Sequence, residues 1–303
     1  MAKFLFIMLI IWMQVRANQV LKQVIKLKLL LKITVKLMNR YKITFEKLRQ
    51  KKQGAFIPFV VLGDPDFETS KKILEKMVKH ADCIELGFPF SDPIADGKRI
   101  QAADERAINA GINPDKCFEL IKHVRSINKE IPIGLLIYYN IVFTSGINNF
   151  LAKTKKAGVD AILVADMPLE ESSEFNSKCI SSGIEQVFIA APTTGKERLA
   201  KIISKSTAFV YVVGVLGVTG ERKNVDSSAG RIVSSIKNIS KIPACVGFGI
   251  SKPEHVKKII GEGADGAIVG SAVEAIIEEN LCNKKIMLEK LDAFFKAIKN
   301  ATC

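Results

Sequence analysis

No CxxC pair occurs among the six cysteines of this 303-residue chain, and none of its three histidines lies at metal-ligand spacing from them. Cys83, Cys117, Cys179, Cys245, Cys282 and Cys303 are scattered. That spacing excludes a zinc site and points to reduced thiols of a cytosolic protein, several of them buried. No GxGxxG follows the first strand candidate, which argues against a dinucleotide-binding fold. The apolar run Phe4–Met13 covers about ten residues, where a membrane-spanning helix needs ~20. Acidic residues are missing altogether from residues 1–37, which carry Lys3, Arg16, Lys22, Lys26, Lys28, Lys32 and Lys36.

Half of the formal net charge of +14 therefore resides in that first segment. Beyond it, basic residues mix with acids and no aromatic-interleaved basic stripe appears. Nucleic acid is not expected as a partner, although the general field favours anionic ligands. Residues 1–37 read as a basic apolar leader, dispensable or mis-assigned, because Met38 opens a complete domain start. A signal-peptide core, a basic amphipathic helix on a membrane surface and a structural appendage are the other readings. No membrane contact is expected unless that segment is real and functional.

From about residue 55, short Val/Ile/Phe-rich runs alternate with amphipathic ones. The strand candidates are 56–61, 82–86, 133–138, 160–165, 185–190, 208–213, 243–248 and 265–270. Helical patterns fit 67–80, 114–127, 147–157, 170–182, 196–205, 226–239, 252–263 and 286–299. Ile73, Met77 and Val78 share one face of the first, and Phe118, Ile121 and Val124 one face of the second. Eight apolar strands, each followed by a helix, predict an α/β chain folded over residues 38–303 as a (β/α)8 TIM barrel. Two connections are longer than the rest, 87–101 and 214–225. In such barrels the loops after the strands build the active site, so both are candidate lids.

The stretch "CIELGFPFSDPIADG" places Glu85 between two apolar neighbours at the end of the second strand. With Ile84 and Leu86 turned toward helices, Glu85 points into the barrel, where a carboxylate acquires a raised pKa suited to acid/base work. Asp96 lies on the loop that follows, within reach of the same substrate. The plainer alternative is that Glu85 is pinned by an arginine or a backbone N–H and that Asp96 only shapes a turn. Glycine-rich turns follow the last three strands: "GVTG" (217–220), "GFGIS" (247–251) and "VGSA" (269–272). Backbone N–H groups can approach a phosphate closely there, and Gly270 and Ser271 would open a short helix whose N-terminus binds anions.

These residues resemble one family, the α chain of tryptophan synthase. The matching pieces are "GAFIPFVVLGDP" (54–65), "IELGFPFSDPIADG" (84–97), "PIGLLIYYN" (132–140), "GVDAILVADMPLEES" (158–172) and "GADGAIVGSA" (263–272), with "GVTG" and "GFGIS" between the last two. The resemblance spans roughly residues 38–300. It implies a lyase that cleaves indole-3-glycerol phosphate to indole and glyceraldehyde 3-phosphate, with Glu85 as acid/base and Asp96 facing the indole N–H. It further implies substrate contacts from Phe59, Leu136, Tyr138, Tyr211, Thr219 and Phe248, and a phosphate cradle from Gly220, Gly249, Gly270 and Ser271. One stretch departs from the family: Gly214, Val215 and Leu216 stand where many members carry a polar or basic pair, which puts lid closure in question.

No metal and no cofactor are implied in this chain. Pyridoxal phosphate is expected on a partner, the β chain, in an α2β2 assembly in the cytoplasm. The loop 87–93, with Pro89, Phe90 and Pro93, is the expected contact surface. Three competing readings are weighed against this one. Indole-glycerol-phosphate synthase would need a catalytic Lys inside a strand, and none is found. A purely regulatory partner would not need both carboxylates. A membrane-associated binding protein would depend on residues 1–37.

Overall fold

The structure is a computed structural model that describes residues 39–214, 228–247 and 249–303. Residues Arg40–Cys303 form one compact unit. In chain order its elements are α1 (Arg40–Gln50), β1 (Ala55–Val61), α2 (Phe67–His80), β2 (Ile84–Gly87), α3 (Lys98–Asn109), α4 (Pro114–Ile127), β3 (Ile133–Ile137), α5 (Tyr139–Ser145), α6 (Ile147–Ala157) and β4 (Ala161–Val164). A 3-10 turn (Leu169–Glu171) leads into α7 (Ser173–Ser181), β5 (Glu185–Gln186), β6 (Phe188–Ala190), α8 (Lys196–Lys205) and β7 (Val210–Val213). The last elements are α9 (Ser228–Ile239), β8 (Ala244–Gly247), α10 (Pro253–Gly261), β9 (Gly266–Val269), α11 (Ser271–Glu278) and α12 (Lys284–Asn300).

All strand pairings are parallel, in the order β5-β4-β3-β2-β1-β9-β8-β7-β6. The two ends of that order, β5 and β6, are neighbours in sequence, separated only by Val187. The Val187 N–H donates to the Ile162 carbonyl on β4 at 3.1 Å. β5 and β6 are thus one strand with a break, and the sheet closes into an eight-stranded barrel, as the alternation of the sequence predicts.

Side chains alternate across the wall. Ile84 and Leu86 belong to the outer layer between strands and helices. Ile57, Leu163, Val187, Cys245 and Ile268 pack inside. Helices seat their apolar faces on the outer layer: Ile73, Leu74 and Met77 of α2 are buried, as are Phe118, Ile121 and Val124 of α4. The Asp66 and Asn113 side chains cap these two helices by accepting from the Thr69 and Lys116 N–H groups. Cys83, Cys117, Cys179 and Cys245 are buried free thiols, and Cys282 and Cys303 are exposed ones.

Several elements, among them the short helix α5, differ from the sequence expectation. The connection after β2 is shorter than 87–101, because α3 starts at Lys98 and buries Ile100, Ala103 and Ala107. The helix expected over 170–182 is interrupted at Ser172, where the 3-10 turn hands over to α7. The helix α1, not anticipated, carries Tyr41, Phe45 and Leu48 into the inner cluster. They pack with Ala55, Cys83, Ala161, Ala208 and Phe209, which sit at or just before strand starts, so α1 plugs the N-terminal end of the barrel. The Tyr41 and Phe209 rings lie 5.7 Å apart. Tyr41→Ala should therefore cost about 3–5 kcal/mol in urea unfolding, the range for deleting a buried aromatic. A cost below ~1 kcal/mol would show that α1 does not hold the barrel end.

Candidate active site

Strand β2 presents Glu85 inward, in register with Phe59 on β1 and Gly134 on β3. The residue is 3% exposed, and its Oε2 has no hydrogen-bond partner. Neither an arginine nor a backbone N–H pins that oxygen. Burial pushes the Glu85 carboxyl up to about 8, and the nearby Asp96 adds to the shift. A neutral carboxylic acid is therefore held at the mouth of the barrel with a proton to give.

Asp96 is fixed from several sides. The Tyr138 hydroxyl donates to Asp96 Oδ2 at 2.6 Å and accepts from the Ala95 N–H at 3.1 Å. Gln101 Nε2 donates to the Asp96 carbonyl at 2.8 Å, so the first turn of α3 holds the loop that precedes it. Burial raises the Asp96 pKa and the Tyr138 hydrogen bond opposes that rise. The two acids thus occupy different settings: Glu85 has an orphaned oxygen, whereas Asp96 has a strong donor.

Glu85 and Asp96 line one cavity of about 220 Å³ together with Phe59, Leu136, Tyr211, Gly249, Gly270 and Ser271. Tyr138 does not line it. This tyrosine stands behind Asp96 with its ring stacked on Phe90 at 4.8 Å and 18°, so its part is to orient the aspartate rather than to form the pocket wall. Phe90 is likewise spent on Tyr138, and Pro89, Phe90 and Pro93 are half-buried. Among the described residues, the most exposed large apolar side chains are instead Ile94, 84% exposed on the loop after β2, and Phe143, 69% exposed on α5.

Gly249 has φ +69°, a region that L side chains rarely adopt, at the turn after β8. Gly270 is the N-cap of α11, and Ser271 is its first residue. The first N–H groups of a helix have no partner within it, and the dipole favours an anion there. Thr219, Gly220, Phe248, Val215 and Leu216 lie outside the described residues.

Ile100, Leu163, Ala165, Ile189, Val213, Ile250 and Ile268 also line the cavity and were not anticipated. Most of them could have been found from the period of two: Leu163 and Ala165, or Tyr211 and Val213, are successive inward positions of one strand. Among the described residues, no group of three or more His, Cys, Asp or Glu could hold a metal ion. Among them, too, no helix is long and apolar enough to cross a membrane.

The family model for the tryptophan synthase alpha chain matches residues 45–303. The tryptophan synthase alpha chain of Proteus mirabilis is 45% identical over 266 residues, covering 88% of this chain and 99% of the relative. That of Methanocaldococcus jannaschii is 51% identical over 237 residues, 78% of this chain and 84% of the relative. Among solved structures, a chain from the tryptophan synthase α2β2 complex of Pyrococcus furiosus is 40% identical with a TM-score of 0.75, covering 82% of this chain and 98% of that one.

Proposed function

This chain belongs to the tryptophan synthase alpha chain family, and from that premise we propose that it cleaves indole-3-glycerol phosphate to indole and glyceraldehyde 3-phosphate with Glu85 and Asp96 as its catalytic residues. The observation that carries the proposal is Glu85 itself: a buried acid with an unpartnered oxygen, on a cavity that it shares with a tethered aspartate.

The chemistry follows from the two settings. Protonated Glu85 gives its proton to indole C3, and the ring becomes an indolenine cation. The Asp96 carboxylate faces the N–H of that cation and stabilises the charge as it develops. The ionised Glu85 then takes the proton of the glycerol hydroxyl. The carbonyl of glyceraldehyde 3-phosphate forms, the bond between C3 and the side chain breaks, and its electron pair restores the aromatic indole. Glu85 ends protonated, ready for the next turnover. Protonation at C3 supplies the electron sink, so this cleavage calls for no cofactor in the chain. Phe59, Leu136 and Tyr211 enclose the indole end. Gly249, Gly270 and Ser271 take the phosphate, and Thr219, Gly220 and Phe248 are assigned to the same substrate by the family motif.

We further propose a cytoplasmic α2β2 complex with a β chain that carries pyridoxal phosphate. The Pyrococcus furiosus relative is described as part of a mutually activating complex. Here Ile94 and Phe143 expose apolar surface on the same face as the cavity mouth, and Ile94 lies two residues from Asp96. Docking there would order the catalytic loop and pass indole on without loss to water. We assign residues 1–37 no part in catalysis, because the family match begins at residue 45.

The test is indole release from indole-3-glycerol phosphate by the full chain and by one starting at Met38, each with and without the cognate β chain. Equal rates for the two chains, and faster cleavage with co-elution in the presence of β chain, are expected. No indole release under any condition would end the lyase assignment. A rate unchanged at saturating β chain without co-elution would end the partner assignment alone.

A further inference from the structure

A fully buried carboxyl group that this chemistry does not use lies on α11. Glu274 stands in the first turn of α11, 0% exposed, and its Oε1 accepts from the Val61 N–H at the end of β1 at 2.8 Å. Beside it, Asp64 accepts two hydrogen bonds from the Arg106 guanidinium, at 2.7 and 2.8 Å. Arg106 Nη2 lies 4.0 Å from Glu274 Oε2, and Nη1 lies 3.9 Å from Glu278 one turn along α11. The cluster therefore joins the loop after β1, helix α3 and helix α11.

The two helices begin at opposite ends of the proposed substrate. α11 starts at Gly270 and Ser271, where the phosphate is placed. α3 starts directly after Asp96 and Gly97, and its Gln101 grips the Asp96 carbonyl. We propose that Glu274 is a positioning residue for the lyase site: through Asp64 and Arg106 it locks the phosphate-binding end of α11 to the helix that holds Asp96. The inference rests on the phosphate and Asp96 roles proposed above.

The protonation state fits this role. As a carboxylate, Glu274 would leave Oε2 buried without a donor and would set a second buried negative charge against Asp64, with Glu278 nearby and a single guanidinium to balance them. As the acid, Glu274 keeps the Val61 N–H on Oε1 and has a proton on Oε2 to offer the neighbouring Asp64. Burial, followed by the Asp64 charge, holds the Glu274 pKa well above the carboxylate range. A neutral donor and acceptor is therefore needed, and glutamine supplies the same pair of bonds.

The experiment compares Glu274→Gln, Glu274→Leu and Tyr41→Ala in the full chain. Steady-state cleavage and thermal protection by inorganic phosphate are measured for each. Glu274→Gln should keep kcat/KM within about twofold of wild type. Glu274→Leu should raise KM at least ~10-fold and weaken phosphate protection, since a displacement of about 1 Å at a binding group can cost that much or more. Tyr41→Ala, at the far end of the barrel, should lose thermal stability without raising KM. Should Glu274→Leu fail to fold, Arg106→Lys keeps the charge but loses the fork on Asp64, and it should raise KM in the same way. A Gln variant as damaged as the Leu variant, or a KM unchanged in Glu274→Leu and Arg106→Lys, overturns the proposal while leaving the lyase reading intact. A wild-type chain with neither turnover nor phosphate protection overturns the lyase reading and this inference with it.

Discussion

Glu85→Gln should release indole at least ~10²-fold more slowly than wild type, and it should melt at a higher temperature. Glutamine keeps the shape of the neutral acid but cannot deliver or take a proton, so the C3 protonation loses its donor. The stability gain follows from proton linkage. The folded-state pKa of about 8 lies above the ordinary glutamate value of about 4.3, so the folded chain binds more protons than the unfolded one between those limits. The contribution of Glu85 to stability is thus fully present below the unfolded pKa and is lost as pH rises through the folded one. Glutamine never ionises, and at pH 7 it escapes a cost on the order of 2–4 kcal/mol. In wild type, kcat/KM should hold steady up to about pH 8 and fall above it, as Glu85 loses the proton it must donate. A folded Glu85→Gln chain with near-normal turnover would remove Glu85 from the mechanism.

The strands were legible in the sequence because a parallel barrel strand is covered on both sides, and "FIPFVV" or "DAILVA" therefore reads as a continuous apolar run. Glu85 was legible for the same reason, as a charge where the run should not contain one. Helix α3 was not, because its sequence KRIQAADERAIN is mostly polar and its buried face carries Asp104 beside Ile100 and two alanines. Tyr138 was placed near the indole but its hydrogen bond to Asp96 could not be read, since it depends on a loop 42 residues earlier folding back over β3. The loop prolines suggested an exposed contact surface, yet the stacking of Phe90 on Tyr138 turns that segment inward and leaves Ile94 outside. Glu274 gave no sign in the sequence: an acid in the first turn of a helix is ordinarily a solvated dipole partner, and only the arrival of Asp64 and Arg106 from two other elements shows otherwise.

Asp96→Asn should lower kcat by about 10²–10³, with KM changed little. Asparagine can still accept from the Tyr138 hydroxyl, now at 2.6 Å from Asp96 Oδ2, so the loop and the ring stack behind it should stay in place. What disappears is the negative charge. The indole N–H of the substrate is neutral, and the same N–H in the cation formed after C3 protonation is strongly polarised. The carboxylate is therefore worth far more in the transition state than in the ground state, and its loss appears in kcat. Tyr138→Phe should act on the same group from behind. Without the hydroxyl, the one influence that opposes burial at Asp96 is gone, the aspartate is harder to ionise, and the rate should rise with pH over a range where wild type is flat. The two variants together separate charge from position: Asp96→Asn removes the charge and keeps the hydrogen bond, whereas Tyr138→Phe removes the bond and leaves a carboxyl that can still ionise. If Asp96→Asn turned over within about threefold of wild type, the residue would be a turn-former only, and the cation would have to be stabilised by the cavity wall without a counter-charge.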